Sequence, residues 1–290
     1  MITVTGASGH LGRLVVTDLL DRGVPAGEIV AVVRDPAKAA DLAARGVQVR
    51  VGDYDRPETL GPALAGTRRL LLVSGSEVGK RVPQHRNVID AATSAGVELI
   101  VYTSILRADT SSVPLAAEHL ATEELVRASG LPFVLLRNGW YLENYTEAAL
   151  PQALATGSVF GSAGDGRVAA ATRADFAAAA AAVLTDPAAA DPAGVVYELG
   201  GDHPFTLAEL AAEISQASGR PVDYQDLPED VYAKALTDAG VPAEFAAVLA
   251  ASDVGISQGD LTTDSGDLRR LIGRPTTTLA SAVRAAVAAG

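Results

Sequence analysis

The sequence predicts an α/β fold in which a doubly wound parallel sheet is followed by a smaller C-terminal α/β lobe. In the first half of the 290-residue chain, short apolar runs alternate with helical patterns, which is typical of a parallel sheet covered on both faces. The first apolar run leads directly into three glycines at three-residue spacing. Beyond this half, alanine-rich helical patterns are separated by short strands. We expect residues 1–146 to form the sheet domain and residues 147–290 the smaller lobe, although the chain is free to cross back between them.

The apolar runs of the first half predict the strands of the sheet and the positions of its ligand-binding residues. The predicted strands are Ile2–Thr5, Ile29–Val33, Val47–Val51, Arg69–Val73, Leu99–Thr103 and Phe133–Arg137. Ligands of doubly wound sheets bind at the carboxyl ends of the strands. The residues that follow each strand are therefore the first candidates for a site.

The glycines after the first strand indicate a phosphate-binding turn. Gly6 allows a tight turn, Gly9 lets a pyrophosphate approach the backbone, and Gly12 lets the next helix pack closely on its strand. A predicted helix over Leu14–Leu20 and the strand Ile29–Val33 complete the βαβ unit that this motif requires. The pattern predicts a Rossmann-type dinucleotide-binding domain.

Backbone N–H groups at the start of that helix are expected to bind the phosphates. We assign this role to the N–H groups of Leu11, Gly12 and Arg13. Arg34 follows the second strand, where an NAD-preferring site usually has an acidic residue. A guanidinium there can bind a ribose 2′-phosphate and favours NADP over NAD. The alternative is a solvated arginine before a helix that starts at Asp35-Pro36.

The ends of the third and fourth strands supply further candidates. Asp53 is expected near the adenine, whereas Asp55 is expected to cap a helix because Glu58 lies at capping-box spacing. The segment Ser74–Ser76 is expected to lie against the ribose and diphosphate, with an ordinary polar loop as the alternative. In the helix predicted from His85 to Ala95, His85 and Arg86 are assigned to the polar side or the end.

Composition limits the classes of partner and cofactor. A net charge of −12 and an isoelectric point near 4.7 argue against nucleic acid or an anionic membrane as partner. The sequence contains no apolar run of the roughly 20 residues that a membrane helix needs, and a strand starting at Ile2 leaves no space for a leader peptide. We therefore expect a cytoplasmic protein. The chain has no cysteine, and its four histidines lack metal-ligand spacing, so no metal is expected.

Several segments together resemble a known family. Thr5–Gly12, Arg34, Tyr102-Thr103-Ser104 and Leu136–Asn144 resemble NmrA-like atypical short-chain dehydrogenases/reductases. The further segments that resemble the bacterial type 2 NADPH:quinone oxidoreductases, close to triphenylmethane reductase, are Ser76–Asn87, Ala163–Gly166, Thr172–Asp175 and Ser252–Gly255. The likeness extends along nearly the whole chain.

The chain lacks the usual proton donor of short-chain reductases, which is a Tyr and a Lys four residues apart after the fifth strand. No Tyr or Lys occurs between Ser104 and Gly130, and Leu115 and His119 stand at the corresponding positions, with Glu123 following. His119 is assigned to the helix surface, with the edge of a pocket as the alternative. The missing pair argues against alcohol dehydrogenases, epimerases and sugar dehydratases.

Quinone reduction is compatible with this absence, because hydride addition gives a delocalised anion that water can protonate. The expected activity is hydride transfer from NADPH to quinones or similar planar conjugated electrophiles, with no flavin. An NADP(H)-sensing regulatory protein without turnover is the alternative. A third hypothesis, an isomerase or dehydratase that retains NAD, conflicts with Arg34.

The residues and the resemblance together give a set of candidate site residues, none of which is assigned as catalytic. The cofactor-binding candidates are Gly6, Ala7, Ser8, Gly9, His10, Leu11, Gly12, Arg34, Asp53, Ser74, Gly75, Ser76, Thr103, Ser104 and Asn138. The substrate-binding candidates are Asn138, Trp140, Tyr141 and Asn144, in a segment that holds the chain's one tryptophan. Their rings could border a planar substrate. For Trp140 and Tyr145, a structural role at the junction of the lobes is the alternative.

The second half predicts short strands and alanine-rich helices. Predicted strands are Val159-Phe160 and Val195–Leu199, and predicted helices are Asp175–Leu184, Leu207–Ala217, Pro228–Ala239, Pro242–Ala250 and Leu279–Ala288. Capping boxes are expected at Thr206 with Glu209 and at Thr172 with Asp175. Arg173 is expected either at the cofactor edge or in a salt bridge. The cleft between the lobes is the expected substrate site, and a monomer and a homodimer both remain open.

Overall fold

The computed structural model describes residues 1–190 and 194–289, and the chain divides into two compact units. The first unit comprises Met1–Ile105, Glu118–Asn138 and Arg173–Tyr197. The second comprises Leu106–Ala117, Gly139–Thr172 and Glu198–Gly290. The boundary predicted between residues 146 and 147 falls inside the second unit, because the chain passes between the units several times.

A mostly parallel sheet forms the centre of the first unit. Its strands are β1 (Ile2–Val4), β2 (Ile29–Val33), β3 (Gln48–Val51), β4 (Arg69–Leu72), β5 (Leu99–Ile105), β6 (Phe133–Asn138) and β8 (Val195–Leu199). Within the described residues, the strand order is β3-β2-β1-β4-β5-β6-β8. The order from β3 to β6 is that of dinucleotide-binding doubly wound sheets, in which the strand order reverses between β1 and β4. The Rossmann-type α/β fold is therefore confirmed.

The sequence positions of the first six strands were predicted to within two residues at either end. For β2 and β5 the reason is burial, because all five residues of β2 and all seven of β5 are buried. Parallel strands covered on both faces appear in a sequence as continuous apolar runs.

Helices accompany the strands along the chain. They are α1 (His10–Asp21), α2 (Ala40–Ala44), α3 (Leu60–Leu64), α4 (Arg81–Ser94), α5 (Pro114–Ala128), α6 (Leu150–Thr156), α7 (Arg173–Thr185), α8 (Leu207–Ser218), α9 (Glu229–Asp238), α10 (Ala243–Ser257), α11 (Asp267–Ile272) and α12 (Leu279–Ala289). Short 3₁₀ turns lie at Ala26–Glu28, Pro36–Ala39, Pro57–Thr59 and Pro187–Ala190, and a π-helix at Asn144–Ala149. In the described part of the chain, no helix is both long and apolar enough to cross a membrane.

The core of the first unit lies on both faces of the sheet. On one face, Leu60, Leu72, Val88, Tyr102 and Leu135 belong to one cluster of fully buried side chains. Elsewhere in the first unit, α1 packs against the alanine-rich α7. Small side chains let two helices approach closely, and alanine has the highest helix propensity. The alanine run of α7 is therefore part of the core.

The second unit contains the parallel pair β7 (Ser158–Gly161) and β9 (Asp223–Asp226) together with α8, α9, α10 and α12. Thr206 and Glu209 form the predicted capping box at the start of α8. Helix α10 continues through Ser252–Gly255 to Ser257, seven residues beyond the predicted end at Ala250. Its last two turns bury Ser252, Asp253 and Ile256, so a polar surface pattern does not mark the end of this helix.

Candidate functional site

The glycine loop lies where the strand order of the sheet reverses. Gly6 has φ +58°, in the left-handed region that favours glycine, and the Gly9 N–H donates to the Gly6 carbonyl at 2.9 Å. An added Cβ at Gly12 would lie 2.5 Å from the Gly6 carbonyl oxygen. Both glycines are therefore required by the backbone of this turn.

Helix α1 begins directly behind this loop with an open N-terminus. Gly9 is its N-cap, and no side chain among the described residues caps it. The Arg13 N–H donates to the Gly9 carbonyl at 3.0 Å, so the prediction that it is free for phosphate was wrong. A helix leaves its first-turn N–H groups without intrahelical partners, which here belong to His10, Leu11 and Gly12. An added Cβ at Gly9 would approach the Gly6 oxygen at 3.2 Å, and no other described atom is recorded within 4 Å. The loop thus fits the pyrophosphate of a dinucleotide.

Arg34 follows β2 and extends into solvent. Its side chain is 72% exposed, and its Nη1 lies 3.5 Å from Glu77 Oε1. The next residue, Asp35, accepts the Ala37 N–H at 3.0 Å and caps the 3₁₀ turn Pro36–Ala39. A largely exposed guanidinium at the end of β2 is available to a phosphate that arrives from solvent.

Asp53 organises the turn after β3, and the role predicted for Asp55 was wrong. The Asp53 carboxylate accepts the Asp55 N–H at 3.1 Å, and the Asp53 N–H donates to Thr59 Oγ1 at 2.9 Å. The following turn has Arg56 as its N-cap without a side-chain cap. Asp55 instead accepts a hydrogen bond from Gln84 Nε2 at 3.1 Å. Asp55 and Glu58 have the spacing of a capping box, but the N-cap of this turn is Arg56, one residue after Asp55.

The loop after β4 is fixed by side chains beneath it. The Ser74 N–H donates to Thr103 Oγ1 at 2.8 Å. The Gly75 N–H donates to His85 Nε2 at 2.9 Å, while the Gly75 carbonyl accepts from Arg81 Nε at 2.9 Å. Both polar backbone groups of Gly75 are therefore used inside the protein. The Gly75 N–H is thus not available to a cofactor.

His85 holds this loop as a neutral imidazole, and its predicted place on the polar side of α4 was wrong. The side chain is fully buried. Because Nε2 accepts from Gly75, the proton lies on Nδ1, which donates to Thr122 Oγ1 at 3.0 Å. Burial, with a smaller contribution from the Arg81 charge, lowers the pKa of His85 to about 3.

Two further polar groups are buried where β5 and β6 face α5. The Tyr102 hydroxyl is paired with His119 Nδ1 at 2.8 Å. Burial lowers the pKa of His119 well below its usual value and raises the pKa of Tyr102. The assignment of His119 to the helix surface was therefore wrong. One face of α5 carries His119, Thr122 and Glu123, and all three are buried.

Ser104 is the second-last residue of β5, and its side chain is buried. Its hydroxyl donates to Glu123 Oε1 at 2.6 Å. Arg137 donates to both oxygens of Glu123, at 2.9 and 2.8 Å. The exposed fractions of the two side chains in this ion pair are 5% and 1%. Ser104 is thus joined to a buried ion pair.

Asn138 ends β6 in the first unit. It is 5% exposed, and its Oδ1 is buried without a hydrogen-bond partner among the described residues. A buried polar atom without a partner carries a free-energy cost, which binding of a ligand can remove. This atom is consistent with the predicted role of Asn138 as a ligand-binding residue.

The segment Gly139–Asn144, which contains Trp140 and Tyr141, belongs to the second unit. Its backbone is fixed by the Gly139 N–H, which donates to Leu199 O at 2.7 Å, and by Trp140 O, which accepts the Ala171 N–H at 3.0 Å. Trp140, Tyr141 and Asn144 are each half-buried. Asn144 begins the π-helix, a type of element found frequently at functional sites. The ligand-binding roles of these residues stay predictions.

Sequence reasoning missed a buried acidic group in the second unit. Asp253 accepts the Ser162 N–H at 2.9 Å, and burial raises its pKa to about 7. The Tyr145 hydroxyl is buried with no partner in the described part of the chain, and its ring packs edge-on against Phe205 at 5.7 Å. The sequence around Asp253 has no periodicity that distinguishes this buried residue from a solvent-exposed residue of a helix.

Comparison with known proteins adds independent information. The model of the NmrA-like family matches residues 1–262. The chain belongs to the NmrA-like family. Quinone oxidoreductase 2 of Escherichia coli (strain K12) is 54% identical over 283 residues, which cover 98% of this chain and 97% of that protein.

Two solved structures extend the likeness to the whole fold of this NmrA-like chain. The NADPH complex of the NADPH-dependent quinone oxidoreductase QOR2 from E. coli has a TM-score of 0.93 at 53% identity and covers 98% of both chains. Citrobacter sp. triphenylmethane reductase complexed with NADP(H) has a TM-score of 0.93 at 41% identity, covering 99% of this chain and 100% of that one. The subgroup to which the sequence was assigned is confirmed.

Proposed function

We propose that this protein is an NADPH-dependent oxidoreductase that transfers hydride to quinones or similar planar conjugated electrophiles. The observation that carries the proposal is the open N-terminus of α1 behind the Gly6–Gly12 loop, with exposed Arg34 at the end of the neighbouring strand. A dinucleotide with a 2′-phosphate fits this pair of features. The names of the relatives at 54% and 53% identity support the same cofactor and acceptor.

Each part of the cofactor has residues to hold it. The first-turn N–H groups of α1 would hold the pyrophosphate, and Arg34 would hold the 2′-phosphate. The buried Oδ1 of Asn138 would accept a hydrogen bond from the carboxamide of the nicotinamide. When bound, NADPH supplies the hydride that reduces a quinone by two electrons.

The proton balance of the reaction needs no side-chain acid at the acceptor. The hydroxyl of Ser104 is bonded to Glu123, and that of Tyr102 is paired with His119. Neither group is free to replace the tyrosine of ordinary short-chain reductases. Hydride transfer to a quinone leaves a stabilised phenolate monoanion, which can take the one remaining proton from water. This chemistry favours quinones over isolated ketones.

Substrate binding is assigned to Asn138, Trp140, Tyr141 and Asn144. The two aromatic side chains supply flat apolar surface, and the amides supply hydrogen-bond donors for a quinone oxygen. The π-helix that begins at Asn144 gives this position a backbone that an α-helix would not provide. We favour turnover over an NADP(H)-sensing role, because the relatives with the highest identity quoted above are named as oxidoreductases.

The proposal is tested by following oxidation of NADPH and NADH with benzoquinones and naphthoquinones, without added flavin. We expect saturable turnover that prefers NADPH. Trp140→Ala and Asn144→Ala should raise KM for the quinone while leaving NADPH affinity unchanged. Phe245→Ala serves as a control, because Phe245 is an exposed aromatic residue outside the candidate set. Normal NADPH binding with no turnover on any quinone would contradict the proposal.

A further inference from the structure

Arg34 lies beside Glu77, which is in turn paired with Lys80 of the same loop before α4. Glu77 Oε1 is 3.5 Å from Arg34 Nη1, and Glu77 Oε2 is 3.1 Å from Lys80 Nζ. One carboxylate therefore bridges two cations that come from different parts of the chain. The three side chains are 38 to 72% exposed, so a ligand can reach each of them from solvent.

The turn that carries Glu77 and Lys80 is fixed by its own contacts. The Lys80 N–H donates to the Glu77 carbonyl at 3.2 Å, and Gly79 between them has φ +84°. The Gly79 N–H donates to Glu118 Oε1 on α5 at 2.8 Å. The position of both charged residues is thus determined by the fold and not only by their mutual attraction.

The charges of Arg34, Glu77 and Lys80 would interact differently with NADPH and with NADH. Without ligand, two cations and one carboxylate leave a net charge of +1. A 2′-phosphate dianion would be attracted by Arg34 and Lys80 and repelled by Glu77. A ribose 2′-hydroxyl carries no charge and would donate a hydrogen bond to the carboxylate, the role that an acidic residue at the end of β2 has in NAD-binding sites. The hydrogen bond from Lys80 lowers the pKa of Glu77, so the carboxylate is ionised at neutral pH.

We propose that Arg34, Glu77 and Lys80 form one subsite for the 2′ position of the cofactor's adenosine ribose. In this subsite, Lys80 is a second cation for the 2′-phosphate of NADPH, and Glu77 accepts the 2′-hydroxyl of NADH. Glu77 also competes with the phosphate for both cations, which limits the preference for NADPH. This inference rests on the proposed cofactor site.

The test measures binding and not turnover. Isothermal titration calorimetry at low ionic strength gives the affinities of Lys80→Gln and Glu77→Gln for NADPH, NADH and adenosine 2′,5′-bisphosphate. Lys234→Gln and Glu98→Gln are matched controls, because each removes the same charge from an exposed ion pair elsewhere in the chain. Circular dichroism confirms that each variant is folded.

The two variants should change cofactor preference in opposite directions. We expect Lys80→Gln to weaken NADPH and the bisphosphate about three- to tenfold, with NADH unchanged. Glu77→Gln should raise the ratio of NADPH to NADH affinity by about the same factor. If the ratio of NADPH to NADH affinity in either variant equals the ratio in its matched control, the role given to that residue is overturned. A wild-type protein that binds neither NADPH nor the bisphosphate would instead refute the proposed function.

Discussion

Replacing His85 by Gln should change the pH dependence of stability by an amount that follows from its burial. In the folded protein, His85 is neutral, accepts from Gly75 and donates to Thr122, and its pKa is lowered to about 3. In the unfolded chain, its pKa returns to about 6.5. Acidification protonates the unfolded state first, so the stability supplied by neutral His85 is complete above pH 6.5 and is lost as the pH falls toward 3.

The size of this effect can be calculated at an accessible pH. At pH 5, the unfolded chain is 1.5 pH units below its histidine pKa while folded His85 is still neutral, which corresponds to about 2 kcal/mol. At pH 8, the free energy of unfolding of the wild type should exceed that of His85→Gln by about 1–3 kcal/mol, because the variant disturbs the buried hydrogen bonds of Gly75 and Thr122.

The assay is urea unfolding of both proteins at pH 8 and pH 5, followed by circular dichroism. The difference in unfolding free energy between wild type and His85→Gln should shrink by about 2 kcal/mol at the lower pH. Taking this difference cancels the other titrating groups, including His119. A wild-type to His85→Gln difference that is equal at the two pH values would refute the neutral, buried assignment.

Three further predictions concern the cofactor loop and the second unit. Arg34→Glu should weaken NADPH binding about tenfold or more and NADH binding little; equal losses in fluorescence titrations would refute the 2′-phosphate assignment. Gly9→Val should abolish binding of both cofactors, because its side chain would occupy the pyrophosphate path; unchanged titrations would contradict the cradle. Burial raises the pKa of Asp253 to about 7. The free energy of unfolding of the wild type should therefore fall relative to that of Asp253→Asn as the pH rises from 4 to 7, by up to about 4 kcal/mol in urea unfolding. A difference that does not change with pH would contradict the burial of Asp253 as an acid.

The sheet and its cofactor loop could be predicted because local sequence patterns determine them. Fully buried parallel strands such as β2 leave continuous apolar runs, and the turn at Gly6 and Gly12 accepts almost no other residue. The capping box at Thr206 was likewise readable, since both of its hydrogen bonds are local.

The buried polar network could not be predicted from such patterns. His85 and His119 were assigned to polar surfaces, because helical periodicity distinguishes polar from apolar residues and not exposed from paired ones. Their partners, Gly75 and Tyr102, lie on other elements and become neighbours only in the folded sheet. The π-helix at Asn144 and the continuation of α10 through Asp253 also depend on tertiary packing, which overrides local propensity.

Steady-state oxidation of NADPH by a panel of quinones without added flavin shows whether this chain is an NADPH-dependent quinone reductase. We expect saturable turnover with a clear preference for NADPH over NADH. Tight NADPH binding with no quinone reduced above the uncatalysed rate would contradict it and would favour a cofactor sensor.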